Sequence, residues 1–258
     1  HPLGKAPDPM QLIKAMPRRD FLTIGISLGG VTLLSWLYLF SMASGMPMGA
    51  MQIQPWSANY FLMMFLMWAI MMVGMMLPSV APTVLIYAAI ARKATTGNTP
   101  IAPTGAFVSG YVVIWIAFSL FATTAQWGLD QAALLSPMMV SNSVGLGAVL
   151  IATAGVYQWL PIKDRCLQQC RSPVDFITSH WRTGMIGAFR MGLSHGIFCL
   201  GCCWVLMGLL FVGGVMNLLW IAAITLFVLL EKILPLGDAG GRVIGLLMIA
   251  TGAVIALI

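Results

Sequence analysis

The sequence predicts an all-α protein, a polytopic bundle of about seven transmembrane helices, and three observations carry this prediction. Hydrophobic residues make up 60% of the 258 positions and charged residues only 8%, whereas a soluble domain has about 25% charged residues. The apolar residues fall in runs of about 20, the length that crosses the hydrocarbon core of a bilayer. The alternating segments of about ten residues that mark a membrane barrel do not occur.

Each apolar run is predicted to be a helix, because backbone polar groups inside lipid must be paired within the segment. The second run is too long for one straight crossing, and Pro78 and Pro82 are expected to kink it or end it. Residues 1–20 form a cytoplasmic N-terminal segment, and residues 21–258 form a single transmembrane domain. The predicted spans are residues 21–42, 60–80 with an extension to 91, 105–127, 140–160, 183–212, 217–233 and 240–258.

The basic residues predict the orientation of these spans. With the N-terminus inside, the segments 1–20, 91–104, 161–182 and 234–240 lie inside and contain or flank nearly all of the 13 Lys and Arg residues. Such a bias marks the cytoplasmic side, so the C-terminus is predicted outside and the membrane is predicted to be the bacterial inner membrane. Six or eight spans remain an alternative if the second or fifth is broken or re-entrant.

The same charge distribution bears on binding partners. A net charge of +6 is explained by orientation in the bilayer, and no basic patch with interleaved aromatic residues predicts nucleic-acid binding. No Ser/His/Asp set or paired carboxylates lie in the predicted spans, so the sequence does not predict a hydrolase. The lipid bilayer is the first predicted partner.

The fifth span contains a cluster of sulfur and imidazole side chains. The segment MGLSHGIFCLGCCWVLMG holds His195, Cys199, Cys202 and Cys203, which share one helix face about 100° wide. Two glycines on this face let a neighbouring helix approach, so it is predicted to be a packing face. His195 and Cys203 are separated by about 12 Å of helix rise, so either other helices complete the site or there are two sites.

Three interpretations of this face stay open. The residue types and their spacing favour metal binding. Thiol redox chemistry at Cys202 and Cys203 is an alternative, although a reactive thiolate needs a cationic neighbour. Packing alone is the third, because a buried cysteine is often an inert small hydrophobe and an intramembrane histidine often bonds between helices.

Methionines are concentrated in and before the second span, where 10 of the 20 lie between residues 46 and 76. Met67, Met71 and Met75 continue an i, i+4 row that begins at Met63, and such a row occupies one helix face. Methionine is also an ordinary core filler, but a predicted outer loop adds three more methionines that lipid contact does not explain. These three predicted capture residues are Met46, Met48 and Met51.

The combination of residue types predicts the metal. Thioether and thiolate are soft ligands that select Cu(I), whereas zinc accepts Cys and His but has little use for Met. Copper as Cu(I) is therefore favoured over zinc, with His195, Cys199, Cys202, Cys203, Met67, Met71 and Met75 as the predicted ligands.

Further candidates lie on the predicted inner side. Cys166 and Cys170 are four residues apart in a polar segment expected to form a short surface helix, and they could release metal to the cytoplasm. Glu231 is a second exit candidate, because intramembrane charges are costly and mark ion paths or ion pairs. The simpler prediction for Glu231 is an ion pair with Arg190 at similar depth.

Four segments carry a resemblance to a known family: WAIMMVGMMLPS (68–79), YQWLPIKDRCLQQCRSP (157–173), HGIFCLGCCW (195–204) and LLEKILP (229–235). Over residues 60–258 the chain resembles bacterial integral membrane proteins described as predicted metal-binding. The resemblance implies metal binding at His195, Cys199, Cys202 and Cys203, with Cys166 and Cys170 as further candidates. It implies no particular biochemical activity.

The leading hypothesis is a Cu(I)-handling membrane protein that binds, transports or delivers copper, with a membrane copper enzyme as a partner. A structural or accessory subunit of a larger membrane complex is an alternative, because helix faces lined with small residues suit helix packing. A membrane thiol-redox protein using Cys202 and Cys203 is the other.

Overall fold

The fold is known from a computed structural model that describes residues 9–45, 55–94, 100–136, 139–234 and 237–257. Met46, Met48 and Met51 lie outside the described residues. Within these ranges the regular structure is helical, which confirms the all-α prediction. The helices are α1 (Pro9–Lys14), α2 (Arg18–Ser44), α3 (Ala58–Ala94), α4 (Ile101–Gln131), α5 (Val144–Tyr157), α6 (Pro161–Arg171), α7 (Pro173–Ser179), α8 (Gly184–Gly208), α9 (Leu210–Gly213), α10 (Leu218–Ile233) and α11 (Gly237–Leu257).

Five stretches of helix are long and apolar enough to cross a membrane: α2, α3, α4, α8 continued by α9, and most of α11. A sixth is formed if α5 and α6 are taken together, although they meet at an angle of 67°. By helix length and composition, the described residues therefore give five or six spans, fewer than the predicted number of about seven. The difference arises at α5 and α10, which have 14 and 16 residues.

The helices alternate in direction. The ion pair between Asp20 and Arg92 joins the start of α2 to the end of α3. Later in α2 and earlier in α3, the Trp36 indole donates to the Gly74 carbonyl, so the two helices are antiparallel. Similar contacts set α4 antiparallel to α3, and α5 and α10 antiparallel to α8. We call the end of the bundle where α3 begins the upper end and the opposite end the lower end.

Helix α3 continues through Pro78 and Pro82, so these prolines do not end the second span as one alternative predicted. Helices α6 and α7 confirm that the polar segment after residue 160 is helical. Each begins with a proline in its first turn. Proline lacks a backbone N–H, but an N–H at this position would have no partner within the helix, so nothing is lost.

The α4–α8 pair packs through glycines at very short range. A Cβ atom on Gly192 would lie 1.9 Å from the Phe107 carbonyl oxygen, and one on Gly110 would lie 2.2 Å from the Phe189 carbonyl oxygen. Small residues allow such an approach between helices. This confirms that the glycine-bearing face of α8 is a packing face, and it fixes that face against α4.

Gly192→Ala is expected to destabilise the protein by about 1–3 kcal/mol through overpacking, despite a gain of up to about 1 kcal/mol in helix propensity. The measurement is the thermal unfolding midpoint in detergent. Gly208→Ala in the same helix is the matched control, because a Cβ there meets nothing within 4 Å and should leave the midpoint unchanged or higher. Equal midpoints for the two variants would contradict the close approach of α4.

Candidate metal centre

The four predicted ligands of α8 all point into the protein. Cys199 and Cys203 are fully buried, and Cys202 and His195 are 1% and 2% exposed. The opposite face of α8 is open, since Ile197 is 58% exposed. The sequence-based prediction of a shared, buried face is therefore confirmed.

Cys199 is the residue on which three helices meet. Its sulfur lies 3.1 Å from the Tyr111 hydroxyl of α4 and 3.0 Å from the Lys232 ammonium at the end of α10. Lys232 also donates to the Ser79 hydroxyl of α3 at 2.8 Å. A buried ammonium so close to a sulfur creates a site that favours negative charge on that sulfur.

The other two thiols of α8 turn back along their own helix. Cys202 and Cys203 each donate to the carbonyl oxygen of Cys199, both at 3.0 Å. Their sulfurs therefore lie within one helical turn of the Cys199 sulfur. A thiol is a weak donor, so these hydrogen bonds can be exchanged for stronger interactions at small cost.

The two cysteines of α6 join the same cluster. The Cys170 thiol lies close enough to the Cys199 and Cys202 side chains to interact with both electrostatically. The Cys166 sulfur lies against Gly201, where an added Cβ would be 2.7 Å from it. The sequence placed this pair in a separate inner segment, whereas the structure places it beside the thiols of α8, because α6 packs directly on α8. All five cysteines are free thiols.

His195 lies one turn before Cys199 in an aromatic cage. Its ring centroid is 4.9 Å from Phe176, 6.0 Å from Tyr111 and 6.1 Å from Phe107. The Nδ1 atom is buried and has no hydrogen-bond partner. Leaving such an atom unpaired costs about 1–3 kcal/mol, so a bound ligand at Nδ1 would remove a penalty that the fold carries.

The methionine row of α3 faces inward with one exception. Met67, Met71 and Met75 are buried as predicted, but Met63 is 43% exposed and Met64 is buried instead. Just below the row, the carbonyl oxygen of Met76 accepts a hydrogen bond from the Tyr111 hydroxyl at 3.3 Å. The row therefore leads from the upper end of the bundle to the tyrosine that contacts Cys199.

The predicted ion pair between Glu231 and Arg190 is wrong. Glu231 pairs with Lys163 of α6, with Nζ and Oε1 2.6 Å apart, while Arg190 is exposed and forms no ion pair with any described residue. The reason is the direction of each side chain, since Arg190 lies on the face of α8 away from the cysteines. Arg171 reinforces the contact by donating to the Glu231 carbonyl at 2.8 Å.

Sequence reasoning missed Tyr111 and Lys232 as parts of this site. Lys232 was interpreted only as a basic residue at an inner helix end, although its position beside Glu231 in the apolar segment LLEKILP is unusual. Tyr111 carries no sequence signal, because its role depends on how α4 packs against α8.

The donor set suits copper as a cargo, although it is not preassembled as a cage. Within the described ranges, no group of three or more His, Cys, Asp and Glu side chains is arranged to hold a metal ion. The direction of the Cys202 and Cys203 thiols toward a carbonyl oxygen is consistent with this. The thiols and thioethers nearby are soft donors, the kind of ligand that copper accepts.

The fold and the site define a class of protein: an all-helical bundle with several membrane-length apolar helices and buried thiols and thioethers suited to a soft metal ion. A family model described as a copper chaperone, PpoB2, matches residues 65–255. Because this match covers well over half of the chain, the protein belongs to the PpoB2 copper chaperone family. No curated protein and no solved structure is significantly similar to it.

Membership of this family confirms a copper-related role, in line with the resemblance that the sequence showed. Several apolar helices are compatible with a membrane protein. The oxidation state of the copper, the individual ligands and the partner are predictions.

Proposed function

We propose that the protein binds Cu(I) on the sulfur cluster around Cys199, inside a membrane-embedded bundle, and delivers it to a membrane copper enzyme. The observation that carries the proposal is the convergence of Cys170, Cys202 and Cys203 on Cys199. The family description as a copper chaperone supports copper as the metal and delivery as the role.

Each predicted ligand has a place in this proposal. Cys199, Cys202 and Cys203 hold the ion, His195 supplies its unpaired nitrogen, and Met67, Met71 and Met75 lead to the cluster from the upper end. Cys166 and Cys170 take copper onward from the cluster, because α6 lies against it. Glu231 already has a cationic partner, so we assign it to holding α6 in position rather than to an exit.

The first experiment measures copper by elemental mass spectrometry on detergent-purified protein after anaerobic loading with Cu(I). Stoichiometric copper is expected in the wild-type protein, and a Cys199/Cys202/Cys203→Ser triple variant should lose it. Ile197→Val, on the exposed face of the same helix, is the matched control and should retain full copper. Equal copper in the triple variant and the control, or none in any protein, would refute the proposed site.

We further propose that the chain crosses a bacterial inner membrane seven times, with its N-terminus inside. Helices α5 and α10 would be about 21 Å and 24 Å long, less than the roughly 30 Å bilayer core. The alternating directions of the helices support seven crossings, with α6 and the residues after α10 completing the two short ones. A C-terminal fusion to alkaline phosphatase should then be active, and an inactive fusion beside an active green fluorescent protein fusion would contradict it.

A thiol-redox role is the second candidate, and the contact between Lys232 and Cys199 favours it. A cationic neighbour supports the thiolate that redox chemistry requires, and the sequence alone showed no such neighbour on this face. Cys199 would be the reactive thiol and Cys202 or Cys203 its partner. Alkylation of these cysteines that depends on redox conditions but not on added copper would favour this role over delivery.

A further inference from the structure

A buried glutamine near the upper end of the bundle holds two methionine sulfurs together. Gln126 of α4 is 2% exposed. Its Oε1 accepts a hydrogen bond from the Trp68 indole at 2.7 Å. Its Nε2 lies 3.6 Å from the Met64 sulfur and 3.3 Å from the Met139 sulfur. An indole N–H only donates, so the amide oxygen faces Trp68 and the amide N–H groups face both sulfurs.

This arrangement is costly for a purely structural glutamine. A thioether sulfur is a weak acceptor, and buried amides normally find oxygen partners. Here the partially positive amide nitrogen is placed where the lone pairs of two thioethers converge. A soft monovalent cation would be more favourable to those sulfurs than an N–H group is.

The backbone at Met139 indicates that its inward position is imposed by the fold. Met139 has a φ of 55°, a left-handed conformation that costs a residue with a Cβ about 1–2 kcal/mol. Its N–H donates to the Ser136 carbonyl at 2.8 Å, and Ser141 donates to the Phe211 carbonyl at 2.9 Å. The loop is thereby tied to α9 with the Met139 side chain inside, and such strain is typical of functional positions.

An acidic group lies one helical turn farther toward the upper end. Asp130 is on the same face of α4 as Gln126, four residues later, and it accepts a hydrogen bond from Trp56 at 2.6 Å. A carboxylate at this place attracts cations toward the thioether pair.

We propose that Met64 and Met139 form a second binding site for Cu(I), made of thioethers only, in which the Gln126 amide holds the sulfurs in place and gives way to the ion. The proposal rests on the proposed function, because the thiol cluster around Cys199 is the destination. The site receives copper at the upper end and releases it readily, since neutral thioethers hold the ion less tightly than thiolates.

The route from this site to the thiols runs along α3. Met64 is followed by the buried Met67, Met71 and Met75, which descend about 16 Å in steps of about one helical turn. The next residue, Met76, contacts Tyr111, which in turn contacts Cys199. A soft ion therefore meets a thioether at each turn of α3 from Met64 to Met75, and Tyr111 links the end of this row to Cys199.

The test uses Ag(I), a redox-inert soft monovalent ion, and protein labelled with ¹³C at the methionine methyl groups. In the full-length protein with all five cysteines replaced by Ser, Ag(I) is expected to shift the NMR signals of Met64 and Met139, identified with Met64→Leu and Met139→Leu. Adding both leucine changes should weaken the residual Ag(I) affinity by about tenfold or more. Exchange of Met for Leu costs less than about 1.5 kcal/mol in stability, so these variants should fold.

Met63→Leu is the matched control, because Met63 is exposed and adjacent to Met64 in the chain, and it should leave Ag(I) affinity unchanged. Unshifted Met64 and Met139 signals under saturating Ag(I), or equal affinity in the double leucine variant and the control, would overturn the inference. Failure of the proposed function would be seen separately, as copper content unaffected by the cysteine changes.

Discussion

Glu231→Gln should lower the free energy of unfolding by about 3–5 kcal/mol, because it leaves the Lys163 ammonium buried without its counter-ion. Lys163 is 1% exposed and Glu231 is 5% exposed, so water cannot replace the lost carboxylate. The other contact of the ammonium is the Gln158 amide oxygen, which is neutral and compensates only in part. The measurement is the unfolding free energy or midpoint in detergent, with the same loss expected for Lys163→Met.

A double variant distinguishes the cost of leaving one buried charge unpaired from the cost of removing both charged side chains. Replacing both residues by methionine removes both charges, and such a replacement of a buried pair is often neutral or stabilising. The double variant should therefore recover most of the stability. Arg190→Gln is the control, since the exposed Arg190 is not the partner of Glu231. Equal, large losses in Arg190→Gln and Glu231→Gln, with none in Lys163→Met, would restore the pairing predicted from the sequence.

The ion pair also bears on copper. Lys163 lies on α6, the helix that carries Cys166 and Cys170, and Glu231 is adjacent to Lys232, which contacts Cys199. Breaking the pair should therefore loosen α6 from the thiol cluster as well as lower stability. Copper affinity and stability should fall together in Glu231→Gln, whereas a cysteine variant should lose copper with little change in stability.

Much of the fold could be predicted from the sequence because a long apolar segment that is to lie in lipid has few structures open to it. Long apolar runs must be helices, and the runs that became α2, α3, α4, α8 and α11 are separated by polar or basic segments. The fourth run was predicted from residue 140, but Ser143 caps α5 by accepting from the Leu146 N–H at 3.2 Å. Pro161 then begins a new helix at its other end. Such local breaks hardly change hydropathy, so the run appeared longer than the helix.

The site could be predicted along one helix but not between helices. Helix geometry alone placed His195, Cys199, Cys202 and Cys203 on one face, and the structure agrees. The contacts from Tyr111, Cys170 and Lys232 depend on how α4, α6 and α10 pack, which periodicity does not encode. The same limit explains the error at Glu231. Arg190 lies at a similar depth and was therefore chosen as the partner, but its side chain points away from Glu231.

Cys199→Ser should weaken Cu(I) binding more than any other single substitution in the cluster. The Cys199 sulfur contacts the Tyr111 hydroxyl and the Lys232 ammonium of two other helices, whereas the hydrogen bond of Cys203 goes to a carbonyl of its own helix. Loss of an outer-shell partner costs about 10–100-fold in metal affinity, and loss of the central thiol should exceed that range. The measurement is competition with a chromogenic Cu(I) chelator under anaerobic conditions.

Tyr111→Phe provides the graded comparison, because it removes the hydroxyl 3.1 Å from the Cys199 sulfur and keeps the ring that packs beside His195. Its expected loss is about 10–100-fold, smaller than the loss in Cys199→Ser. An affinity unchanged in Cys199→Ser but reduced in Cys203→Ser would show that the ion sits farther along α8. The contact of Lys232 with Cys199 would then fit the thiol-redox role better than copper delivery.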